Sequence, residues 1–153
     1  MAPLAPPSAQ VRKGKNLRAK FFRAIPAIRR LTEAVQSTVS GPSKRPYLIG
    51  IDGRRLHIRS SHSALNTLLQ SSGAVLMKAA TVIFHMEAQR LGIKGYSQVL
   101  HIHDEAEFEV DEERAEVVGR LFVHAIELAG RHFGMRCPTT GEYKIGSNWA
   151  ETH

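Results

Sequence analysis

The residues best suited to chemistry lie in one short segment, VLHIHDEAEFEV, from Val99 to Val110. It holds His101, His103, Asp104, Glu105 and Glu107 among apolar residues that alternate as in strands. Successive side chains of a strand point to opposite faces. His103, Asp104 and Glu105 are therefore expected at the bend of a short hairpin, where neighbouring carboxylates aim at one point. Clustered carboxylates suit hard cations such as magnesium, with phosphate oxygens completing the shell. The same tripeptide also fits a plain polar turn. His101 and His103 have the His-x-His spacing that metallohydrolases use, but the further ligands such a site needs are not found at set positions in the sequence.

The elements around the bend follow from pattern. Tyr96–Ile102 and Ala106–Val110 read as its two strands. A long helix is expected from Ser61 to about Leu91, closed by the glycine of LGIKG. His62, Asn66 and Gln70 recur every four residues on it and form one polar stripe. Leu65, Leu69, Leu76 and Ile83 are expected on a neighbouring apolar side. Upstream, YLIGIDGRRLHIRS reads as a hairpin turning at Asp52-Gly53. Downstream, Asp111 is expected to cap a helix from about Glu112 to Phe133, with Glu112 and Glu113 in its first turn. The C-terminal stretch is rich in turn residues and has room for one short strand. Trp149 is expected in the core. Near the N-terminus, Leu17, Phe21, Phe22, Ile25 and Ile28 give an apolar face at helical spacing, and Pro26 divides the segment into two helices. Residues 1–11 are proline-rich and expected to be disordered.

The 153 residues make one ordinary domain, and the 42% hydrophobic fraction fits a globular protein. The only cysteine is Cys137, which excludes an internal disulfide and a cysteine-based zinc cluster and favours a reducing, intracellular setting. No signal peptide is apparent, and no run is expected to be long enough to span a membrane. The charge is unevenly spread. Residues 1–86 hold 14 Lys or Arg and only Glu33 and Asp52 as acids, a net of +12. Residues 87–153 carry a net of −5. The basic half fits either a solvated face or a nucleic-acid partner.

In order along the chain, three segments resemble family A DNA polymerases, the DNA polymerase I-like group, in its phage replicative branch. DGRRLHIRSSHSALNTLLQSSGA is similar to the arm and helix that track the DNA minor groove, HIHDEAEFEV to motif C, and GSNWAETH to the C-terminal signature. The resemblance runs from about Lys15 to His153, and three ordered motifs are far more specific than one. It implies an α+β fold: a partial polymerase palm with a small antiparallel sheet, a long DNA-facing helix and packing helices, with residues 12–153 forming a C-terminal fingers and palm segment.

The resemblance also implies roles. Asp104 becomes a catalytic metal-binding aspartate, Glu105 the adjacent acid supporting the metal, and His103 a residue positioning the primer end. His62, Asn66 and Gln70 face the minor groove, while Arg54, Arg55 and Arg59 suit phosphate contacts. His153 places its terminal carboxylate near the site. The cofactor is Mg2+, in a two-metal site completed by an aspartate outside this chain. Partners are primer-template DNA, deoxynucleoside triphosphates and a second polypeptide carrying the rest of the polymerase, with no membrane. The setting is the cytoplasm of a bacterial or phage-infected cell. The earlier catalytic aspartate, the triphosphate-gripping fingers helix, the thumb and the exonuclease have no counterpart in the sequence. The chain is thus expected to be a C-terminal piece of a split, truncated or intein-interrupted polymerase, inactive alone. A non-catalytic remnant and a small sequence-independent DNA-binding protein are the alternatives.

Overall fold

Proline 26 sets the first architectural boundary. Its ring removes a backbone donor and disfavours helix at the preceding residue. In the computed structural model, which describes residues 7–40 and 47–152, helix α1 (Pro7–Ala24) accordingly ends before it and α2 (Pro26–Ser40) starts on it. Proline is well placed there, since the first helical residue needs no intrahelical donor. Residues 7–11, expected in the disordered stretch, belong to α1. Strands β1 (Tyr47–Ile49) and β2 (Arg55–His57) follow, then α3 (Ala64–Arg90), β3 (Tyr96–Ile102), β4 (Glu105–Val110), α4 (Ala115–His132) and α5 (Trp149–Thr152). Single 3-10 turns precede α3 (Ser61–Ser63) and α4 (Glu112–Arg114). The strands form two separate two-stranded sheets, β1-β2 and β3-β4. The architecture is the expected α+β mixture.

Two units divide the chain: Met1–Leu48 with His57–Thr67, and Ile49–Leu56 with Leu68–His153. In the first, α1 runs against α2 and buries little. Val35 is buried, whereas Leu17, Phe21 and Ile25 of the expected apolar face are exposed.

In the second unit the core lies between α3 and α4. Leu76, Met77 and Ala80 pack on Ile126 and Ala129. Phe84 packs on Val118 and Ala125, with Tyr96, Phe108 and Val110 of the β3-β4 hairpin closing over them. Ala80, Ala88 and Ala129 are fully buried. Such small residues let the backbones approach closely. The core face of α3 therefore differs from the expected one. Of the expected apolar side, Leu76 is buried and Ile83 packs against the core, but Leu69 is 57% exposed, and Phe84 takes the central place.

Two glycines of α4 make room for the segment after it. A Cβ on Gly119 would lie 2.5 Å from the Tyr143 ring, and one on Gly130 would lie 1.8 Å from Thr139 Oγ1. Thr139 donates to the Ile126 carbonyl at 3.1 Å, and the Tyr143 hydroxyl donates to Glu116 at 2.7 Å. This strap contains no strand among the described residues, so the one allowed for from sequence is absent there.

Two further expectations are corrected. Asp111 precedes the 3-10 turn but its side chain caps nothing; instead its backbone N–H donates to the Gly95 carbonyl. And one helical stretch, Ser61–Arg90, is long and apolar enough by length and composition to cross a membrane, with a mean hydropathy of 1.3 over its best window. Of that window 17% is buried, and Leu76, Met77, Ala80, Phe84 and Ala88 are the buried residues of the stretch between 76 and 88.

Candidate functional site

The β3-β4 hairpin is antiparallel and closes on the pair Ile102↔Glu105. His103 and Asp104 alone form the turn. The register explains how so tight a turn arises. Gln98 pairs with Phe108, but the next pair is Leu100↔Glu107, so Val99 is an extra, bulged residue. Without that slip the strands would leave only one residue to reverse the chain. Bulges of this kind bend a strand and re-aim the side chains beyond them.

His103 has φ +54°, a left-handed conformation that no other non-glycine residue adopts among those described. A positive φ in a two-residue loop matches the twist of the flanking strands. Histidine enters this region more readily than most non-glycine residues, but at some cost. A glycine would sit there without strain, and the sequence instead places an imidazole.

Paired residues share a face of the sheet. Phe108, Val110 and Tyr96 face the helices and anchor the hairpin to Phe84. Glu105 and Glu107 share the opposite face with Leu100 and Ile102. Asp104 and His103 are exposed at the tip, and Glu105 beside them is half-buried. The turn thus holds one carboxylate and an imidazole, with a second carboxylate at the start of β4, on a hairpin whose other face is packed down. The bend expected over His103, Asp104 and Glu105 is narrower by one residue, since Glu105 pairs with Ile102. Among the described residues, no group of three or more His, Cys, Asp or Glu residues could by itself hold a metal ion.

His62 lies in the 3-10 turn, and Asn66 and Gln70 lie on α3; all three are exposed. At 3.6 residues per turn, Asn66 and Phe84 are about five turns apart and point the same way, as do Gln70 and Ala88. The polar stripe is therefore a continuation of the core face along the same helix. Where that face is covered, the sequence supplies Phe84 and Ala88. Where it is open, it supplies amide side chains.

The arginines differ. Arg54 is held in the β1-β2 loop by Asp52, its Nε 2.5 Å from the carboxylate. Burial pushes the Asp52 carboxyl up, but the Arg54 backbone N–H and guanidinium together bring it below its ordinary value. Arg55 and Arg59 are both exposed, and Arg59 has no ion pair among the described residues.

The turn at Ser147–Thr152 differs from the sequence expectation. Trp149 is 55% exposed rather than core, and His153 lies outside the described residues. Glu151 organises this turn, and sequence patterning gave no signal for it. Its carboxylate accepts from Ser147 N at 2.8 Å, Ser147 Oγ at 3.0 Å and Asn148 Nδ2 at 2.9 Å. These bonds, the Ser147 backbone N–H foremost, hold the carboxyl below the ordinary 4.5. A depressed pKa stabilises the folded turn above the ordinary value, and that contribution is lost as pH falls through the lower one. Emission of Trp149, the single tryptophan, should therefore step once below about pH 4.5, and Glu151→Gln should remove the step. A step of unchanged size in Glu151→Gln would assign it to other carboxylates.

Comparisons place this geometry among known proteins. The model of DNA polymerase family A matches residues 8–151. DNA-directed DNA polymerases of Enterobacteria phage T3 and Escherichia phage T7 are each 35% identical over 92% of this chain, which covers 22% of either relative. DNA polymerase I of Aquifex aeolicus is 28% identical over 88% of the chain and 23% of its own length. The chain thus spans about a fifth of these relatives. Among solved structures, the POL domain of Pol1 from M. smegmatis, in complex with DNA primer-template and dNTP, matches with a TM-score of 0.68. That match covers 77% of this chain and 22% of that one at 21% identity, a likeness of fold.

Proposed function

The chain belongs to DNA polymerase family A, and on that premise we propose that it supplies the motif C carboxylates and the minor-groove helix of a template-directed DNA polymerase. The observation that supports the proposal is the turn: His103 and Asp104 form the exposed tip of an anchored hairpin and Glu105 opens the strand beside them, within the family match.

The reaction is attack of a primer 3′-hydroxyl on the α-phosphate of a deoxynucleoside triphosphate. Asp104 and Glu105 are hard oxygen donors on adjacent residues, a chemistry that fits Mg2+. They would hold the ion together with an aspartate outside this chain. Divalent metal bound there supplies a lowered hydroxyl pKa and neutralises charge on the leaving pyrophosphate. His103 orients the primer end from the neighbouring turn position. Packing of Phe108 and Val110 anchors the strand that follows the turn.

His62, Asn66 and Gln70 address a different requirement. Every base pair presents purine N3 or pyrimidine O2 acceptors in the minor groove, so exposed donors can grip a duplex without choosing its sequence. Arg54, Arg55 and Arg59 contact phosphates, which position DNA without reading it. Losing one neutral hydrogen bond of about 0.5–1.5 kcal/mol should weaken binding by about 2- to 10-fold. Gln70→Ala should accordingly raise the KM for primer-template in a reconstituted enzyme and leave the rate at saturating DNA little changed. A lost rate at saturating DNA would move Gln70 out of the groove-contact role.

The other aspartate and the triphosphate grip are assigned to a second polypeptide in the cytoplasm of a bacterial or phage-infected cell. Open apolar side chains such as Leu69, Val82, Met86 and Ile102 give that partner a surface to cover. The test is primer extension by the chain alone, by a fragment carrying the missing motifs alone, and by both. Magnesium-dependent synthesis in the mixture only is expected. Robust synthesis by the chain alone would refute the division of the site. DNA binding with no synthesis in any mixture would favour the second reading, a non-catalytic DNA-binding remnant, which the exposed basic half also supports.

A further inference from the structure

The strongest charge feature lies far in sequence from the motif C turn. Helix α1 carries Arg12, Lys13, Lys15, Arg18, Lys20 and Arg23 and no acid; the first acid of the chain is Glu33. The later helical segments treat cations differently. Arg29, Arg90, Arg114, Arg120 and Arg131 each face a carboxylate three or four residues away. In α1 the neighbours at that spacing are other cations, as in Arg12–Lys15 and Lys20–Arg23, and none of the six has an ion pair among the described residues. Such pairs disfavour an isolated helix. The sequence keeps them, exposed and uncompensated.

Their arrangement is ordered. At 100° per residue, Arg12, Arg23, Asn16, Lys20 and Lys13 fall in that order within about 100° of the helix circumference. The structure shows the same residues lining one open recess along α1. The row from Arg12 to Arg23 is about 16 Å long at 1.5 Å per residue. One strand of duplex DNA places a phosphate every 3.4 Å or so of axis, so the row faces about four or five of them. Leu17 and Phe21 flank the row on one side only.

We infer that this face of α1 is a second DNA contact, a phosphate-backbone clamp that holds duplex by counterion release. It rests on the polymerase reading for the identity of its polyanion, and adds a site separate from the α3 stripe and from the arginines of the β1-β2 loop. The division of labour is physical: α3 supplies neutral donors that sense base-pair shape, and α1 supplies charge without sequence information.

The test is fluorescence anisotropy of the full chain on two primed duplexes of unrelated sequence across a salt series. The unaltered chain should bind both alike, with affinity falling steeply as salt rises. Each phosphate contact contributes about 0.9 to the slope of log K against log salt. Lys13→Gln with Lys20→Gln should therefore lower the slope by about 2 and the affinity at 0.1 M salt by about 50-fold. Glutamine matches lysine in helix propensity, so α1 should persist by circular dichroism. Lys13→Arg with Lys20→Arg should keep the slope, and Gln70→Ala should leave it unchanged. An unaltered slope in the double glutamine variant would overturn the inference. So would unaltered DNA binding with lost binding to anionic phospholipid vesicles, which would assign the face to a membrane surface. Failure of the polymerase reading looks different: no synthesis in any fragment mixture, whatever the slope does.

Discussion

Replacing Asp104 by alanine, in a mixture of this chain with the rest of the polymerase, is expected to cut primer extension by about 10³-fold or more, because losing a metal ligand removes several kcal/mol of transition-state stabilisation at about 1.4 kcal/mol per decade. Phosphoryl transfer depends almost wholly on positioning and electrostatic stabilisation, so an incomplete carboxylate set has little to fall back on. On the same argument the proposed division of the site expects no extension by the unmixed chain. Asp104 is exposed at the hairpin tip, so its loss should leave folding and DNA affinity nearly intact, which separates a chemical role from a structural one. His103 allows a second separation. His103→Gly relieves the positive φ of +54° and should leave the hairpin at least as stable, yet extension should fall because the imidazole is gone. Full extension by Asp104→Ala in the mixture would show that the metal ligand lies elsewhere. Full extension by His103→Gly would reduce that histidine to a turn residue.

The hairpin bend was legible because two independent signals agreed there. Period-two alternation marked both strands, and three consecutive polar residues marked the reversal. The bulge at Val99 was not legible, because an unpaired valine in an apolar run looks like any strand residue. Nor was the strain at His103, since φ follows from register, and register from the bulge. In α3 the stripe residues are exposed as patterning expects, while the apolar side expected beside them is only partly the core: Leu76 and Ile83 belong to it and Leu69 does not. From Val75 to Met86 only Lys78, Thr81 and His85 are polar or charged, on one narrow stripe, so periodicity leaves a broad apolar side without fixing its centre; packing against α4 fixes it, through Ala125 and Ala129. The amides of Asn66 and Gln70 were in fact the phase marker, since Phe84 and Ala88 continue their line. Trp149 was placed by residue type, and type alone cannot show that Glu151 ties a one-turn helix at the surface.

That phase difference yields the other large effect. Phe84→Ala should cost about 3–5 kcal/mol of unfolding free energy, as removal of a buried aromatic ring commonly does. Phe84 is 1% exposed and the largest fully buried side chain among the described residues. Its ring meets Tyr96 at 5.1 Å, Phe108 at 5.0 Å and Phe122 at 5.5 Å between centroids, all edge-on. Those contacts join α3 to both strands of the motif C hairpin and to α4, so alanine would open a cavity at the junction of three elements. Domain stabilities are only about 5–15 kcal/mol, so a loss of that size is a large share of the total. Leu69→Ala is the matched comparison. A sequence reading that puts Leu69 on the core side expects a similar cost, whereas a side chain 57% exposed should cost no more than about 0.5 kcal/mol. Urea unfolding followed by far-ultraviolet circular dichroism measures both, with the midpoint falling sharply for Phe84→Ala at an unchanged slope and barely moving for Leu69→Ala. Equal costs for the two variants would mean that α3 presents a different face to α4 than the one described. Because the ring also braces Phe108, the Phe84→Ala hairpin should lose amide-exchange protection at Tyr96–Val110 ahead of α4. The motif C turn would then be held less firmly, and extension by the reconstituted enzyme should fall at temperatures where the rest of the fold survives.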